Sequence, residues 1–135
     1  MKTMKILVPV LVAFILLACN KKDDSIPPAQ TPKDILMSTQ WKKHEYKENG
    51  VVVPFFGACE ADDVITFGTD NICRITDGAI TCPPTGNHTE TYNIAADNKT
   101  FVWNYGTGQL SFLENNTKFV FKAASNGYEF IFVKK

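Results

Sequence analysis

The stretch Lys118-Phe119-Val120-Phe121-Lys122-Ala123 decides the fold class of this 135-residue chain. Successive side chains of a β-strand point to opposite faces, so the two phenylalanines share one face and the two lysines share the other. Such alternation is typical of a strand that covers an apolar interior with one face and meets water with the other. The stretch therefore predicts one strand of an antiparallel, all-β domain.

Two further rows of aromatic side chains repeat with the same period of two. The rows are Tyr128, Phe130 and Phe132 in one strand, and Phe101, Trp103 and Tyr105 in another. Three rows that face one another would fill a small closed β-barrel, because about eight strands enclose a space that side chains can fill or that holds one small ligand. We expect six aromatic residues to point inward, where they either line a pocket for an apolar ligand or close the core by packing together. These residues are Trp103, Tyr105, Phe119, Phe121, Phe130 and Phe132.

Short apolar runs separated by Gly, Asn and Asp predict the order of the strands as a meander. The predicted strands cover residues 41–47, 51–54, 64–67, 72–76, 90–94, 101–103, 109–113, 118–123 and 128–133. The predicted turns cover 48–50, 68–70, 97–99, 114–116 and 125–127. Before the first strand, residues 33–40 predict a short N-terminal helix, in which Ile35 and Leu36 would cover one end of the core.

The positions of three cysteines predict one disulfide. A hairpin that turns at Gly68-Thr69-Asp70 pairs residues whose numbers sum to about 138 to 140. Cys59 then faces the neighbourhood of residue 80, close to Cys82, whereas Cys73 faces residues 65–67. We predict a disulfide between Cys59 and Cys82, which stabilises the fold by ~3 kcal/mol on a loop-closure estimate. Cys73 is predicted to be a buried free thiol, the usual state of a lone cysteine on a strand.

The N-terminal segment has the features of a secretory signal. Lys2 and Lys5 precede an apolar run from Ile6 to Leu17 that is too short to span a bilayer comfortably. A cysteine directly after Leu16-Leu17-Ala18 resembles the lipobox of bacterial lipoproteins. This resemblance implies that the signal peptide, residues 1–18, is removed and that Cys19 carries acyl chains such as palmitate. Two or more chains would anchor the protein firmly, since each buried methylene contributes ~0.8 kcal/mol. The alternatives are a secreted protein cut after Ala18 and a retained signal anchor.

Residues 19–33 are predicted to be a lipidated N-terminus and a flexible tether, because KKDDSIPPAQTP is charged, then Pro-rich, and has almost nothing apolar to bury. Lys22-Asp23-Asp24 resembles an export signal that sends some Gram-negative lipoproteins to the outer face of the outer membrane. The alternative is that these charges only keep the tether solvated. We expect a cell-envelope, outer-membrane lipoprotein, with surface exposure left open, and a single domain over residues 34–135.

Composition and motifs argue against several classes of function. The chain has 14 basic and 14 acidic residues, so no basic surplus points to nucleic acid. It has no G-x-S-x-G, H-E-x-x-H or P-loop motif, and His44 and His88 lie outside any recognisable nucleophile arrangement. Glu60, Asp62 and Asp63 form the densest acidic group, but they lack the D-x-D-x-D-G pattern of a Ca²⁺ loop, so we expect them to be structural. Close cysteine pairs for zinc are also absent. We expect no enzyme activity, no cofactor and no metal.

The same features together resemble the lipocalin-like domain of bacterial lipoproteins, over roughly residues 34–135. The most specific part is Cys59-Glu60-Ala61-Asp62-Asp63-Val64-Ile65-Thr66-Phe67, with Trp41 opening the first strand and Cys82 closing the next hairpin. Thr39 departs from the pattern, because lipocalins open with Gly-x-Trp and this chain has Thr39-Gln40-Trp41. The resemblance implies a β-barrel and ligand binding, and it implies no established activity, because a fold does not carry a function.

Two functions are consistent with the sequence. The first is a membrane-anchored, non-enzymatic lipoprotein that binds a small apolar ligand in or at the mouth of the barrel. The alternative is a structural lipoprotein, or one that binds another envelope protein, with a solidly packed barrel and an exposed apolar patch. Val51-Val52-Val53-Pro54-Phe55-Phe56 is the most hydrophobic stretch of the mature chain and is a candidate lid, partner contact or membrane-facing patch.

Overall fold

A computed structural model describes residues 28–54, 57–81, 83 and 86–135 of the chain. This part of the protein is mostly antiparallel β-sheet, which confirms the predicted all-β class. Its elements are α1 (Pro32–Met37), β1 (Gln40–Glu48), β2 (Val51–Val52), α2 (Ala58–Ala61), β3 (Val64–Phe67), β4 (Ile72–Thr76), β5 (His88–Thr91), β6 (Asn93–Ile94), β7 (Thr100–Trp103), β8 (Gly106–Leu113), β9 (Lys118–Ala123) and β10 (Tyr128–Lys134).

The sheet does not close into a barrel, so the prediction of a closed barrel is wrong. The strands follow the order β5-β4-β3-β1-β10-β9-β8-β7-β6, with β2 paired to β1, and this order leaves β5 and β6 at the two ends. Residues 90–94, predicted to be one strand, are divided at Tyr92: β5 pairs with β4, and β6 pairs with β7. Closure would need residues 90–94 to form one strand that is hydrogen-bonded to β4 along one edge and to β7 along the other.

Tyr92 explains why the strand divides. Its ring is buried against Phe67, with ring centroids 4.9 Å apart, and its hydroxyl donates to the Gly68 carbonyl at 2.6 Å. These contacts hold Tyr92 beside the β3–β4 turn, while the next residues turn away to pair with β7. Burial of one aromatic ring therefore outweighs continuous pairing at this position.

The hairpin of β3 and β4 has the predicted bounds and register. Val64 pairs with Thr76, and Phe67 pairs with Cys73. The predicted bounds of β9 are also correct, and Phe119 and Phe121 are fully buried. On the other face of β9, Lys122 is exposed and binds Glu129 of β10 at 2.8 Å. The alternation therefore assigns the inner and outer faces correctly.

Helix α1 covers one end of the sheet. Its N-terminus has a capping box in which Thr31 and Asp34 bind each other's backbone amides, with Pro32 in the first turn. The helix therefore begins two residues inside the segment predicted to be tether. Leu36 is fully buried and accepts a hydrogen bond from the Trp41 indole at 2.8 Å, as expected for a residue that covers the core. Neither described helix has the length and apolar composition needed to cross a membrane.

The turns divide between the two ends of the strands. The turn at 69–71 lies at the α1 end, where the Lys33 ammonium binds the Asn71 side chain at 2.6 Å. The turns at 49–50 and 104–105 lie at the opposite end, because β1 and β7 both run away from α1. We call this opposite end the distal end.

Candidate functional site

The six residues predicted to line a ligand pocket come together inside the curved sheet, where they contact one another. Phe119 stacks on Phe132 with ring centroids 4.3 Å apart, and Tyr105 stacks on Phe130 at 4.2 Å. Trp103 lies 5.3 Å from Phe132. Packed aromatic pairs usually have ring centroids ~4.5–7 Å apart, and these separations lie in that range or slightly below it. Ring-to-ring packing therefore occupies the centre of the domain.

A cleft opens through the sheet where β5 and β7 fail to pair. It has a volume of about 360 Å³ and is lined by residues 89–93 and 102–104. The pairing of β6 with β7 at Asn93 and Val102 closes one end of the cleft. Beyond that pair, β5 continues along β4 while β7 ends in the turn at 104–105. The cleft is thus the place where two strands that would touch in a closed barrel stay apart.

Glu90 is the charged group of this cleft. It pairs across the sheet with the buried Cys73, so its side chain lies on the inward face of β5. One carboxylate oxygen accepts a hydrogen bond from the Asn104 side-chain amide at 2.7 Å and lies 3.4 Å from His88 Nε2. The side chain is only 14% exposed. Among the described residues His88 is the one ion-pair partner of this carboxylate.

The electric field of Glu90 reaches neighbouring groups. Burial raises the pKa of the Cys73 thiol, and the Glu90 carboxylate raises it further. The pKa of the Tyr105 hydroxyl is raised in the same way, first by burial and then by Glu90. Both groups therefore stay protonated at neutral pH, and Cys73 has none of the thiolate character of a reactive cysteine.

Trp103, another residue of the cleft, has a buried hydrogen-bond donor. The residue is 5% exposed, and its ring packs in the core with its centroid 5.4 Å from that of Phe67. The indole Nε1 is buried and has no hydrogen-bond partner within the described part of the chain. A buried donor without an acceptor costs about 1–3 kcal/mol.

The backbone of β5 presents a free edge to the cleft. Tyr92 donates its amide to the Asn71 carbonyl at 2.9 Å, which places the Tyr92 peptide group on the β4 side. Successive peptide groups of a strand point to alternate edges, so those of Thr91 and Thr89 point away from β4. Within the described sheet β5 has β4 as its sole partner. This edge is therefore available for a further strand.

Glu90 and Asn104 are not among the site residues predicted from the sequence. A signal for Glu90 was present, because a period of two places residue 90 on the same face as Tyr92, whose aromatic ring predicts an inward position. An acidic residue that faces inward is unusual and can indicate a site. Asn104 gave no such signal, since asparagine is ordinary in a turn.

The acidic group near α2 holds a loop. Asp62 accepts hydrogen bonds from the amides of Ala79 at 2.6 Å and Ile80 at 3.1 Å. Asp63 is 4% exposed, and burial raises its pKa, although Lys43 partly opposes this shift. No three His, Cys, Asp or Glu residues of the described chain are grouped so that they could hold a metal ion. These contacts favour the structural interpretation of the group.

Two of the four cysteines lie within the described residues. Cys59, in α2, forms a disulfide. Cys73 is a free, fully buried thiol, as predicted. Cys82 and the lipidation candidate Cys19 lie outside the described residues, so the disulfide between Cys59 and Cys82 and the acylation of Cys19 stay predictions.

The remaining candidates lie on the surface. His44 is exposed and lies at an irregularity in the β1–β10 pairing. Val51 and Val52 are 65% and 57% exposed, so the start of the hydrophobic stretch does face solvent. Phe55 and Phe56 lie outside the described residues.

No protein-family model matches the chain, and no curated protein sequence matches it either.

Proposed function

We propose that the chain is a non-enzymatic lipoprotein of the cell envelope, anchored in the outer membrane by acyl chains on Cys19, whose β-domain binds a partner protein. The lipobox-like sequence before Cys19 supports the anchor. The ring-to-ring packing of the interior supports a protein partner over a small apolar ligand.

The packed interior is the observation that carries this proposal. Trp41, Phe101, Phe119, Phe121 and Phe132 are each fully buried. A binder of apolar ligands keeps an empty pocket of ~300 Å³ or more, lined mainly by such side chains. Here the same side chains contact one another, and the cleft of comparable volume is lined by threonine, asparagine and glutamate as well as by aromatic residues. Its polar lining suits peptide groups better than an acyl chain.

The position of the cleft suits a protein that is anchored at its N-terminus. The segment from Cys19 enters the domain at Thr31, which caps α1. The cleft extends from the β6–β7 pairing toward the turn at 104–105, at the distal end. A partner could therefore reach the cleft while the α1 end faces the membrane.

Site-specific photocrosslinking in intact cells tests the proposal. A photoreactive amino acid at Thr91, on the rim of the cleft, should give a discrete crosslinked protein band. The same amino acid at Ser111, an exposed position on β8, is the matched control and should give none. Equal crosslinking at the two positions would contradict a partner site at the cleft.

A second measurement addresses the ligand alternative. A fluorescent fatty acid added to the detergent-extracted protein should show no saturable binding. Saturable binding that disappears in Phe121→Trp would overturn the proposal in favour of a domain that binds an acyl chain among its aromatic rings.

A further inference from the structure

We propose that the cleft binds an extended peptide segment of the partner, which adds as a strand to the free edge of β5 and places a lysine or arginine beside Glu90. This inference rests on the proposed function and names the chemistry of its ligand. Two independent features of the cleft support it: a free backbone edge and a carboxylate that is the only charged group among the lining residues.

The backbone edge determines the conformation of the ligand. The peptide groups of Thr89 and Thr91 each present one donor and one acceptor away from β4, and an extended peptide matches both at the spacing of a strand. Such strand addition takes its affinity from main-chain hydrogen bonds and its specificity from alternate side chains. The short edge offers pairing over four residues, His88–Thr91, so side-chain contacts must contribute to binding.

Glu90 determines the side chain. In an added strand, the residue opposite Glu90 points to the same, inward face. The carboxylate there is largely desolvated, and its polar neighbours are the Asn104 amide and the His88 ring. A lysine or arginine would add a permanent positive charge beside this carboxylate and make a charge-assisted hydrogen bond. Among the eight residues that line the cleft, Glu90 is the only charged one, so the cleft favours cationic over anionic ligands.

A second copy of this chain is a poorer occupant. Edge strands often pair with their own copies. Antiparallel pairing of two β5 strands about residue 90, however, would place the two Glu90 carboxylates directly opposite each other. Like charges in that position destabilise a sheet. The charge of the cleft thus favours a basic peptide over self-association.

The test is selection of peptides on the full-length lipoprotein, extracted in detergent. A phage library of random heptapeptides is panned against the protein, and individual peptides are then titrated by fluorescence anisotropy. The selected peptides should contain lysine or arginine flanked by strand-forming residues. Glu90→Gln, which keeps the acceptor for Asn104 but removes the charge, should weaken their binding at least about tenfold. Glu129→Gln, on the outer face of β10, is the matched control and should leave binding unchanged.

A second pair of variants tests the strand edge. Thr89→Pro removes an amide that points away from β4, a position where a strand tolerates proline. It should abolish binding, whereas Thr89→Ala keeps the amide and should bind normally. Far-ultraviolet circular dichroism and the unfolding midpoint show whether each variant is folded. If Thr89→Pro does not fold, Glu90→Gln still tests the proposal.

Each result has one meaning. The basic-peptide inference is overturned if no peptide is recovered. It is also overturned if the recovered peptides bind Glu90→Gln as tightly as they bind the unchanged protein. Crosslinking at Thr91 in cells would then still support a protein partner of another kind. If peptide selection and crosslinking at Thr91 both fail, the proposed function is overturned as well.

Discussion

Replacement of Phe121 by alanine tests whether the interior is filled. Phe121 is fully buried at the centre of the domain, and its ring lies 5.7 Å from Phe101 and 6.0 Å from Phe130. It also lies against the backbone of Gly108, where an added Cβ would come within 2.6 Å of the ring. Gly108 has no side chain that could move into the space left by the ring, so the truncation should leave a cavity.

The expected cost follows from these contacts. Burial of one large apolar side chain stabilises the folded state by about 1.5–3 kcal/mol, whether or not the space around the side chain is fully packed. A cavity in a packed core adds a further cost, which brings Phe→Ala substitutions to about 3–5 kcal/mol. We expect Phe121→Ala to lower the free energy of unfolding within this higher range.

The assay is urea unfolding of the detergent-extracted protein, followed by tryptophan fluorescence. Trp41 and Trp103 are both buried, so their emission should shift to longer wavelength on unfolding. Val120→Ala, on the opposite and partly exposed face of β9, is the control and should cost less than about 1 kcal/mol. If Phe121→Ala costs no more than Val120→Ala, the interior is not packed as described, and the preference for a protein partner loses its main support.

Three further predictions concern the anchor, the disulfide and a buried carboxylate. Cys19→Ala should move the protein from the membrane fraction to the soluble fraction, and the intact mass of the unchanged protein should show a lipidated N-terminus; a mutant that stays in membranes would contradict acylation. A non-reducing peptide map should join Cys59 to Cys82, and Cys73 should react with alkylating reagents only after denaturation; a linkage through Cys73 would refute the predicted pairing. Because burial raises the pKa of Asp63, its contribution to stability is present below its unfolded pKa of about 3.9 and is lost as the pH rises through the folded value. Asp63→Asn should therefore increase the free energy of unfolding more at neutral pH than in acid, relative to the unchanged protein. Unfolding curves at several pH values measure this difference. The opposite trend would mean that the charged carboxylate stabilises the fold.

Much of the local structure could be predicted from the sequence, because it depends on neighbours along the chain. The period of two in residues 118–123 assigned the inner and outer faces of β9, and Gly68-Thr69-Asp70 specified the hairpin that sets Cys73 opposite Phe67. The aromatic rows identified the residues of the core, although alternation alone could not say whether their rings touch or enclose a space. That distinction depends on the distance between strands that are far apart in sequence.

The closure of the sheet and the cleft were decided by tertiary structure alone. Alternation shows which face of a strand is inward, but it does not show which neighbour pairs with each edge. The break at Tyr92 results from contacts with Phe67 and Gly68, which lie more than twenty residues earlier in the chain. Glu90 and Asn104 meet for the same reason, since β5 and the turn after β7 become neighbours only when the sheet curves. Non-local pairing, which no local pattern encodes, thus created the site that we propose binds the partner.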